Sequence, residues 1–214
     1  GRIKQSIVQW CFEKYWPVAK TMQIARQLGC ASVELIAPEH WDELKKNGLV
    51  CAIASSHGFV KGMNDPAHWD YCLELLRKRI DECSAAGFPN VISFTGMREK
   101  IPDDVGLKNC VQGFKKIIGY AEQKKVNICL EMLNSRVNEY MKCHPAYMGD
   151  HTDGFVELIK KCGNERMKIQ LYIYHVRITD DAGTSRIREH LHYSTQASTA
   201  GHARPGRRRE HQGN

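Results

Sequence analysis

Short apolar runs and longer amphipathic stretches alternate along this chain. The apolar runs have the length of β-strands and lie at 3–10, 32–36, 49–57, 90–96, 126–133 and 167–178. Between them, apolar residues recur with helical spacing at 17–29, 40–48, 66–87, 103–125 and 150–163. Continuous apolar strands that alternate with helices are typical of a parallel sheet that is covered on both faces or closed into a barrel.

The connection after the first predicted strand distinguishes between two α/β architectures. An open nucleotide-binding sheet needs a glycine-rich turn there, and "QWCFEKYWP" at 9–17 contains no glycine. We therefore predict an α/β fold of the (β/α)₈ TIM-barrel type. Six strand–helix units are recognisable in the pattern, so we expect the barrel to be incomplete.

The composition is that of one globular domain. With 214 residues, of which 42% are hydrophobic, the chain is long enough to bury one sizeable core. No apolar run reaches the ~18–20 residues of a membrane helix, and the first residues lack the apolar stretch of a signal peptide. We therefore expect a cytoplasmic protein without a membrane partner. The nine cysteines form no C-x-x-C pair, which favours reduced thiols over zinc or disulfide sites.

The net charge of +7 is concentrated near the end of the chain. From Arg186 onward six arginines face two acidic residues, and no Leu, Ile, Val, Met, Phe or Trp follows Leu191. Such a segment cannot bury enough apolar surface to offset its ordering entropy. We predict a TIM-barrel domain at 1–190 and a disordered basic tail at 191–214. A solvated tail explains the charge, so we do not expect a nucleic-acid partner.

Polar residues recur where the predicted strands end. His57, Thr95, Glu131 with Asn134, and His175 all occupy such positions. Barrel enzymes carry their reactive groups at the carboxyl ends of the strands. A hydrogen-bonded polar residue explains any one of these positions, but their recurrence on four strands favours a shared site.

Several motifs resemble a known family. "SSHGF", "FTG", "LEMLNSRVNEY", "DHT" and "IYHV" occur in the order found in the hydroxypyruvate isomerase family of xylose isomerase-like barrels, and the likeness extends from Ile3 to His190. This resemblance implies an aldose–ketose type isomerase of carbohydrate metabolism. Such an enzyme interconverts hydroxypyruvate and tartronate semialdehyde through an enediolate that a divalent metal stabilises.

The resemblance also implies roles for single residues. Glu131 occupies the place of the family's metal-binding glutamate, which also moves the proton, with Mg²⁺ or Mn²⁺ as the metal. His57, Asn134 and His175 are then expected to surround a small hydroxy-carbonyl substrate. Tyr172 stands where the family has a metal-binding aspartate. A phenol with a pKa near ~10 is a poor ligand for these cations, so we expect impaired metal binding.

The resemblance ends before the last two strands of the family's barrel. We therefore expect a truncated or divergent carboxyl terminus that lacks the second proton-transfer glutamate and leaves two sheet edges, which a second copy of the chain can cover. Two functional classes stay open. One is an active isomerase, and the other is an inactive relative that acts as a binding or interaction protein. A metal-dependent nuclease is a weaker third reading, because it needs more histidines and carboxylates than these motifs contain.

Overall fold

The strands of this protein run parallel to one another in a curved sheet. The computed structural model describes residues 4–138, 144–179 and 191–198. Hydrogen-bonded pairs join β1 to β2, and β3, β4, β5 and β6 in that order. The strands are β1 (Ser6–Val8), β2 (Ser32–Glu34), β3 (Asn90–Ser93), β4 (Asn127–Glu131), β5 (Met167–Tyr172) and β6 (Ser194–Ser198).

The segment 50–54 joins the two parts of the sheet. Isolated parallel bridges pair Val50 with Ser32 and Ala54 with Val91. Our prediction of a continuous strand at 49–57 is therefore wrong. The segment bonds to the β2 side around Val50 and to the β3 side only at Ala54, so each neighbour is paired through a single bridge and no ladder of successive pairs forms.

The described residues form seven α-helices that follow or flank the strands. They are α1 (Val18–Gln27), α2 (Trp41–Lys46), α3 (Trp69–Ala86), α4 (Asp103–Lys115), α5 (Ile118–Gln123), α6 (Thr152–Cys162) and α7 (Ile173–Thr179). The predicted helix at 103–125 is in fact two helices. The N–H of Ile117 donates to the carbonyl of Phe114 in a tight turn, where the chain changes direction. Both Ile117 and Ile118 are therefore buried, whereas one straight helix would point these two neighbours to different sides.

The last part of the chain differs from our predictions in two places. The apolar run at 167–178 is a strand only as far as Tyr172, because helical geometry from Ile173 onward buries His175, Val176 and Thr179 on one face. Residues 194–198 form β6 on the edge of β5, so the tail does not begin at residue 191 as expected. A polar strand satisfies the backbone groups of that edge without apolar burial. The rest of the tail, 199–214, lies outside the described residues.

Two apolar clusters hold the sheet in place. The larger one packs helices against the outer face of the sheet and includes Ile128 and Leu130 of β4. The smaller one lies inside the curve of the sheet and includes Cys129, with Ile53, Ile92, Phe94, Leu133 and Tyr147. Side chains alternate along a strand, so Glu131 points to the same inner side as Cys129.

Two further sequence expectations concern the described residues as a group. All eight cysteines that the structure describes are free thiols, and Cys143 lies outside the described ranges. No described helix combines the length and the apolar character needed to cross a bilayer.

Close backbone packing at Gly62 yields a first prediction. A Cβ at this position would lie 2.3 Å from the backbone of Thr95 and Gly96, and none of these atoms belongs to a flexible side chain. We expect Gly62→Ala to lower the free energy of unfolding by about 2–3 kcal/mol in urea titrations. Gly119→Ala is the matched control because no atom lies within 4 Å of its added Cβ. Equal stability of the two variants would contradict the packing.

Candidate active site

A cavity lies inside the curve of the sheet at the carboxyl ends of the strands. It has a volume of about 400 Å³ and draws side chains from β1, β2, the 50–54 segment, β3, β4, β5 and α7. Its lining includes Val8, Trp10, Glu34, Leu35, Ile53, Ser56, His57, Phe59, Ile92, Phe94, Glu131, Leu133, His144, Gln170, Tyr172 and His175. The parallel strands therefore bring three of the four predicted site residues to one space, and Asn134 lies behind them.

Glu131 is the last residue of β4 and exposes part of its side chain to the cavity. Among the described residues, no group donates a hydrogen bond to its carboxylate and no cation pairs with it. Burial raises the pKa of Glu131 to about 7. A carboxyl group with this pKa exists in both protonation states near neutral pH, so it can accept a proton and return it.

Tyr147 holds the backbone of Glu131 in place. Its buried hydroxyl donates to the Glu131 carbonyl at 3.0 Å and accepts from the Thr95 N–H at 3.1 Å. The loop before α6 is thereby attached to the ends of β3 and β4. Our sequence analysis missed this residue, since nothing local to "HPAYMGD" indicates a contact with residues 16 and 52 positions away.

His175 lies in the first turns of α7 and is oriented by Asn134. The backbone N–H of Asn134 lies 3.0 Å and its side-chain amide nitrogen 2.7 Å from Nδ1 of His175. The amide orientation follows from Oδ1, which accepts from the Val137 N–H at 3.2 Å. Because Nδ1 accepts hydrogen bonds, the ring proton belongs on Nε2. Burial, with a smaller effect of His144, lowers the pKa of His175 to about 4, so the ring is neutral.

His57 differs from the expected substrate contact. Its Nδ1 lies 2.9 Å from the Gly58 carbonyl and 3.1 Å from the Lys61 carbonyl, so this nitrogen carries the proton. Its Nε2 lies 2.8 Å from the Ser93 hydroxyl. Burial lowers the pKa of His57. Both ring nitrogens are engaged by the protein, and the neutral ring lines the cavity as a structural element of its wall.

Two aromatic rings lie side by side at the cavity. Phe59 stacks on His144, with 4.1 Å between ring centroids and 28° between ring planes. Both residues line the cavity, and burial lowers the pKa of His144. This pair therefore forms part of the cavity wall.

Arg98 serves the loops around the site and does not line the cavity. It pairs with Asp103 at 2.7 Å and with the buried Asp150 at 3.2 Å, and it donates to the Tyr147 carbonyl. The positive charge of Arg98 is therefore paired with acidic side chains of the protein, which is typical of an arginine that stabilises a loop.

The described side chains do not suit a divalent metal. No group of three His, Cys, Asp or Glu residues among them converges closely enough to hold an ion. The residue opposite Glu131 on β5 is Gln170. Tyr172, two residues further along β5, stands in place of the expected aspartate. Burial raises the pKa of Tyr172, which makes its phenol an even poorer ligand. These donors fit no Mg²⁺ or Mn²⁺ site.

Glu34, Gln170 and Tyr172 line the cavity although we did not predict them as site residues. Glu34 ends β2 and accepts a hydrogen bond from Ser6. The rule that identified Glu131, a single acid at the end of an apolar run, applies equally to "SVELI". Gln170 lies within a predicted strand, and its inward direction depends on the register with β4, which the sequence does not specify.

Comparison with known proteins identifies the family. A family model described as the xylose isomerase-like TIM barrel matches residues 22–212. The chain belongs to this family. The fold class predicted from the sequence is thereby confirmed.

One curated relative carries a functional name. The chain is 23% identical over 188 residues to a human protein named "Putative hydroxypyruvate isomerase". The match covers 84% of this xylose isomerase-like chain and 61% of the human protein. The chain therefore spans about three fifths of that relative's length.

Solved structures share the fold at low identity. An AP endonuclease of family 2 from Brucella melitensis superposes with a TM-score of 0.76 at 17% identity, over 92% of this chain and 80% of the other. D-Psicose 3-epimerase from Clostridium cellulolyticum H10, solved with D-tagatose, gives 0.76 at 19% identity, over 97% and 77%. A protein named IOLI, solved with a zinc atom, gives 0.69 at 12% identity, over 83% and 66%. These likenesses show the xylose isomerase-like fold alone.

The burial of Glu131 predicts how stability depends on pH. Its folded-state pKa of about 7 lies above the ordinary 4.5, so ionisation destabilises the folded state as pH rises from about 4.5 to 7. We expect Glu131→Gln to be more stable than the parent above about pH 8, by up to about 3 kcal/mol, with no gain near pH 4.5. Urea unfolding at both pH values measures this. The exposed Glu74→Gln on α3 is the control. A pH-independent difference would contradict the raised pKa.

The contact between Asn134 and His175 predicts a ring tautomer. We expect ¹⁵N NMR spectra to show His175 as the neutral Nε2–H form down to about pH 5, because two donors face Nδ1 and burial disfavours the charged ring. Asn134→Asp places an acceptor beside Nδ1 and should shift the population towards Nδ1–H. Asn47→Asp, directly after the end of α2 and away from the cavity lining, should change nothing. A wild-type Nδ1–H ring would contradict the geometry.

Proposed function

We propose that this chain is an isomerase-type enzyme acting on a small hydroxy-carbonyl compound. The observation that carries the proposal is the Glu131 carboxyl, which faces a 400 Å³ cavity with a pKa near 7. The specific reaction that we propose to test first is the interconversion of hydroxypyruvate and tartronate semialdehyde. The name of the human relative and the motifs of residues 55–59, 130–140 and 173–176 support this choice.

Glu131 supplies the proton chemistry in this proposal. The ionised carboxyl takes a proton from the carbon that bears the hydroxyl group, next to the carbonyl. The electron pair left behind forms an enediolate. The hydroxyl proton moves from the first oxygen to the former carbonyl oxygen, and the protonated carboxyl returns its proton to the neighbouring carbon. One group serves both directions because a pKa near the working pH makes acid and base forms accessible together.

His175 supplies a hydrogen-bond donor for the same step. Its Nε2–H donates to the substrate oxygen on which negative charge develops. A neutral imidazole with a pKa near 4 keeps this proton at neutral pH and therefore acts as a fixed dipole rather than as an acid. Asn134 is a positioning residue here, since it reaches the substrate only through His175.

The divalent metal expected from the resemblance has no place in these steps. Glu131 as a Mg²⁺ or Mn²⁺ ligand stays a prediction that the described donors do not support. Residues outside the described ranges would have to complete such a site. The same observation favours the second class of function, an inactive relative that binds a hydroxy-carbonyl compound without turning it over.

Solvent deuterium exchange distinguishes the two classes. In D₂O, an active chain should exchange the carbon-bound protons of the hydroxymethyl group of hydroxypyruvate faster than the enzyme-free solution, as followed by ¹H NMR. We expect Glu131→Gln to slow the enzymatic rate by about 100-fold or more, and Glu74→Gln to leave it unchanged. The rate should rise with pH around a midpoint near 7, as Glu131 ionises.

The metal is tested in the same experiment. Exchange is measured with chelator and again with added Mg²⁺ or Mn²⁺. A folded chain that exchanges nothing above background in either condition would contradict the enzyme and leave the inactive relative.

A further inference from the structure

Tyr172 is the last residue of β5 and lines the cavity. Gln170 lies opposite Glu131 in the register of β4 and β5. Side chains alternate along a strand, so Gln170 and Tyr172 point to the same inner side, and two residues along a strand rise by about 6–7 Å. Tyr172 therefore lies one step beyond the level of Glu131, towards the carboxyl ends of the strands. A step of this size leaves room for one small molecule between the two side chains.

The ring of Tyr172 is held by its neighbours on α7. Its centroid lies 4.8 Å from that of His175, with 53° between the ring planes, and 6.5 Å from that of Tyr174 in an edge-to-face arrangement. The contacts that the structure describes for Tyr172 are made by its ring. Its hydroxyl group is therefore available to a ligand in the cavity.

The hydroxyl group of Tyr172 is protonated at neutral pH. Burial, with a smaller effect of the nearby Glu131, raises the pKa of this phenol. A neutral phenol can donate one hydrogen bond and accept another at the same oxygen. It can therefore receive a proton from one substrate oxygen while it gives its own proton to another.

The proposed isomerisation needs a group of this kind. Besides the carbon-bound proton that Glu131 moves, a hydroxyl proton passes from the first oxygen to the former carbonyl oxygen. These oxygens are bonded to adjacent carbons, so one hydroxyl group can contact both. The neutral ring of His175 keeps its Nε2 proton, and its Nδ1 accepts from Asn134, so His175 does not carry out this transfer.

We propose that Tyr172 is a catalytic residue whose hydroxyl group contacts both oxygens of the hydroxy-carbonyl compound and passes the hydroxyl proton between them. The inference rests on the proposed function and adds a second proton carrier to it. Tyr172 stands where the resemblance places a metal-binding aspartate, so this role is a departure of this chain from that pattern.

The transfer balances without a further reactant. The phenol gives its proton to the former carbonyl oxygen of the enediolate, and it takes the proton of the first hydroxyl group in its place. On the substrate one O–H bond breaks and one forms. Tyr172 is unchanged after each turnover, and Glu131 returns its own proton to carbon as before.

Tyr172→Phe tests this role, because it removes the hydroxyl group and keeps the ring that packs on His175. Deuterium exchange into hydroxypyruvate needs no transfer between oxygens, since the enediolate can take deuterium back at the same carbon. Formation of tartronate semialdehyde needs it. ¹H NMR in D₂O follows both rates in one sample, under the metal condition in which the wild-type chain is most active. We expect Tyr172→Phe to lower the ratio of isomerisation to exchange by about tenfold or more.

Binding is measured separately by ligand-observed NMR titration. We expect Tyr172→Phe to raise the Kd of hydroxypyruvate by about two- to tenfold, which is the contribution of a hydrogen bond between neutral groups. Tyr71→Phe on α3 is the matched control, since Tyr71 is exposed and lies outside the cavity lining. It should change neither the Kd nor the ratio. Circular dichroism verifies that both variants are folded.

The inference and the function on which it rests fail in different ways. A wild-type chain that exchanges and isomerises, with an unchanged ratio in Tyr172→Phe, would overturn the role of Tyr172 and leave the isomerase. A wild-type chain that binds hydroxypyruvate without exchange would contradict the isomerase and the proton transfer together. The Kd of Tyr172→Phe then decides the contact, because an unchanged Kd would overturn that as well. Retained exchange with a lowered ratio in the variant supports both.

Discussion

The desolvated carboxyl group of Glu131 is the constraint around which the site is arranged. Strand geometry sends Ile128 and Leu130 outward into the helix-packed core and Cys129 and Glu131 inward. The carboxyl thus reaches a cavity whose described lining contains no cation to stabilise its charge. Burial consequently raises its pKa towards neutrality and makes a group that is ordinarily a weak base at pH 7 suitable for proton transfer.

The surrounding contacts keep this arrangement rigid. Tyr147 fixes the carbonyl of Glu131 and the N–H of Thr95, and Asn134 fixes the ring of His175. The backbone of Glu131 and the ring of His175 are thus held by other residues, which would lower the reorganisation needed during the proposed reaction. The family shares the barrel at less than 20% identity in the structures compared. Function therefore depends on these particular side chains rather than on the fold.

Local periodicity accounts for what the sequence could predict. The alternation of apolar runs and helical stretches indicated a parallel barrel, and the lone acid in "ICLEMLNS" indicated an inward group at a strand end. Contacts between distant residues account for the rest. The Tyr147 hydroxyl, the Ser93 partner of His57 and the inward Gln170 depend on register and loop paths. The helix at 173–179 was missed because a short apolar run has no unique period, and β6 because an edge strand needs no apolar residues.

The ionisation of Glu131 is the most direct test of the proposed proton transfer. Difference infrared spectra of the wild-type chain and Glu131→Gln, recorded across pH, isolate the carboxyl stretching band of this one residue. We predict a protonated band that disappears with a midpoint near pH 7, because the carboxyl is buried and no cation lies beside it among the described residues. A midpoint near the ordinary 4.5 would contradict it, since solvent or a neighbouring positive charge would then stabilise the carboxylate, and the proposed proton transfer would lose its physical basis.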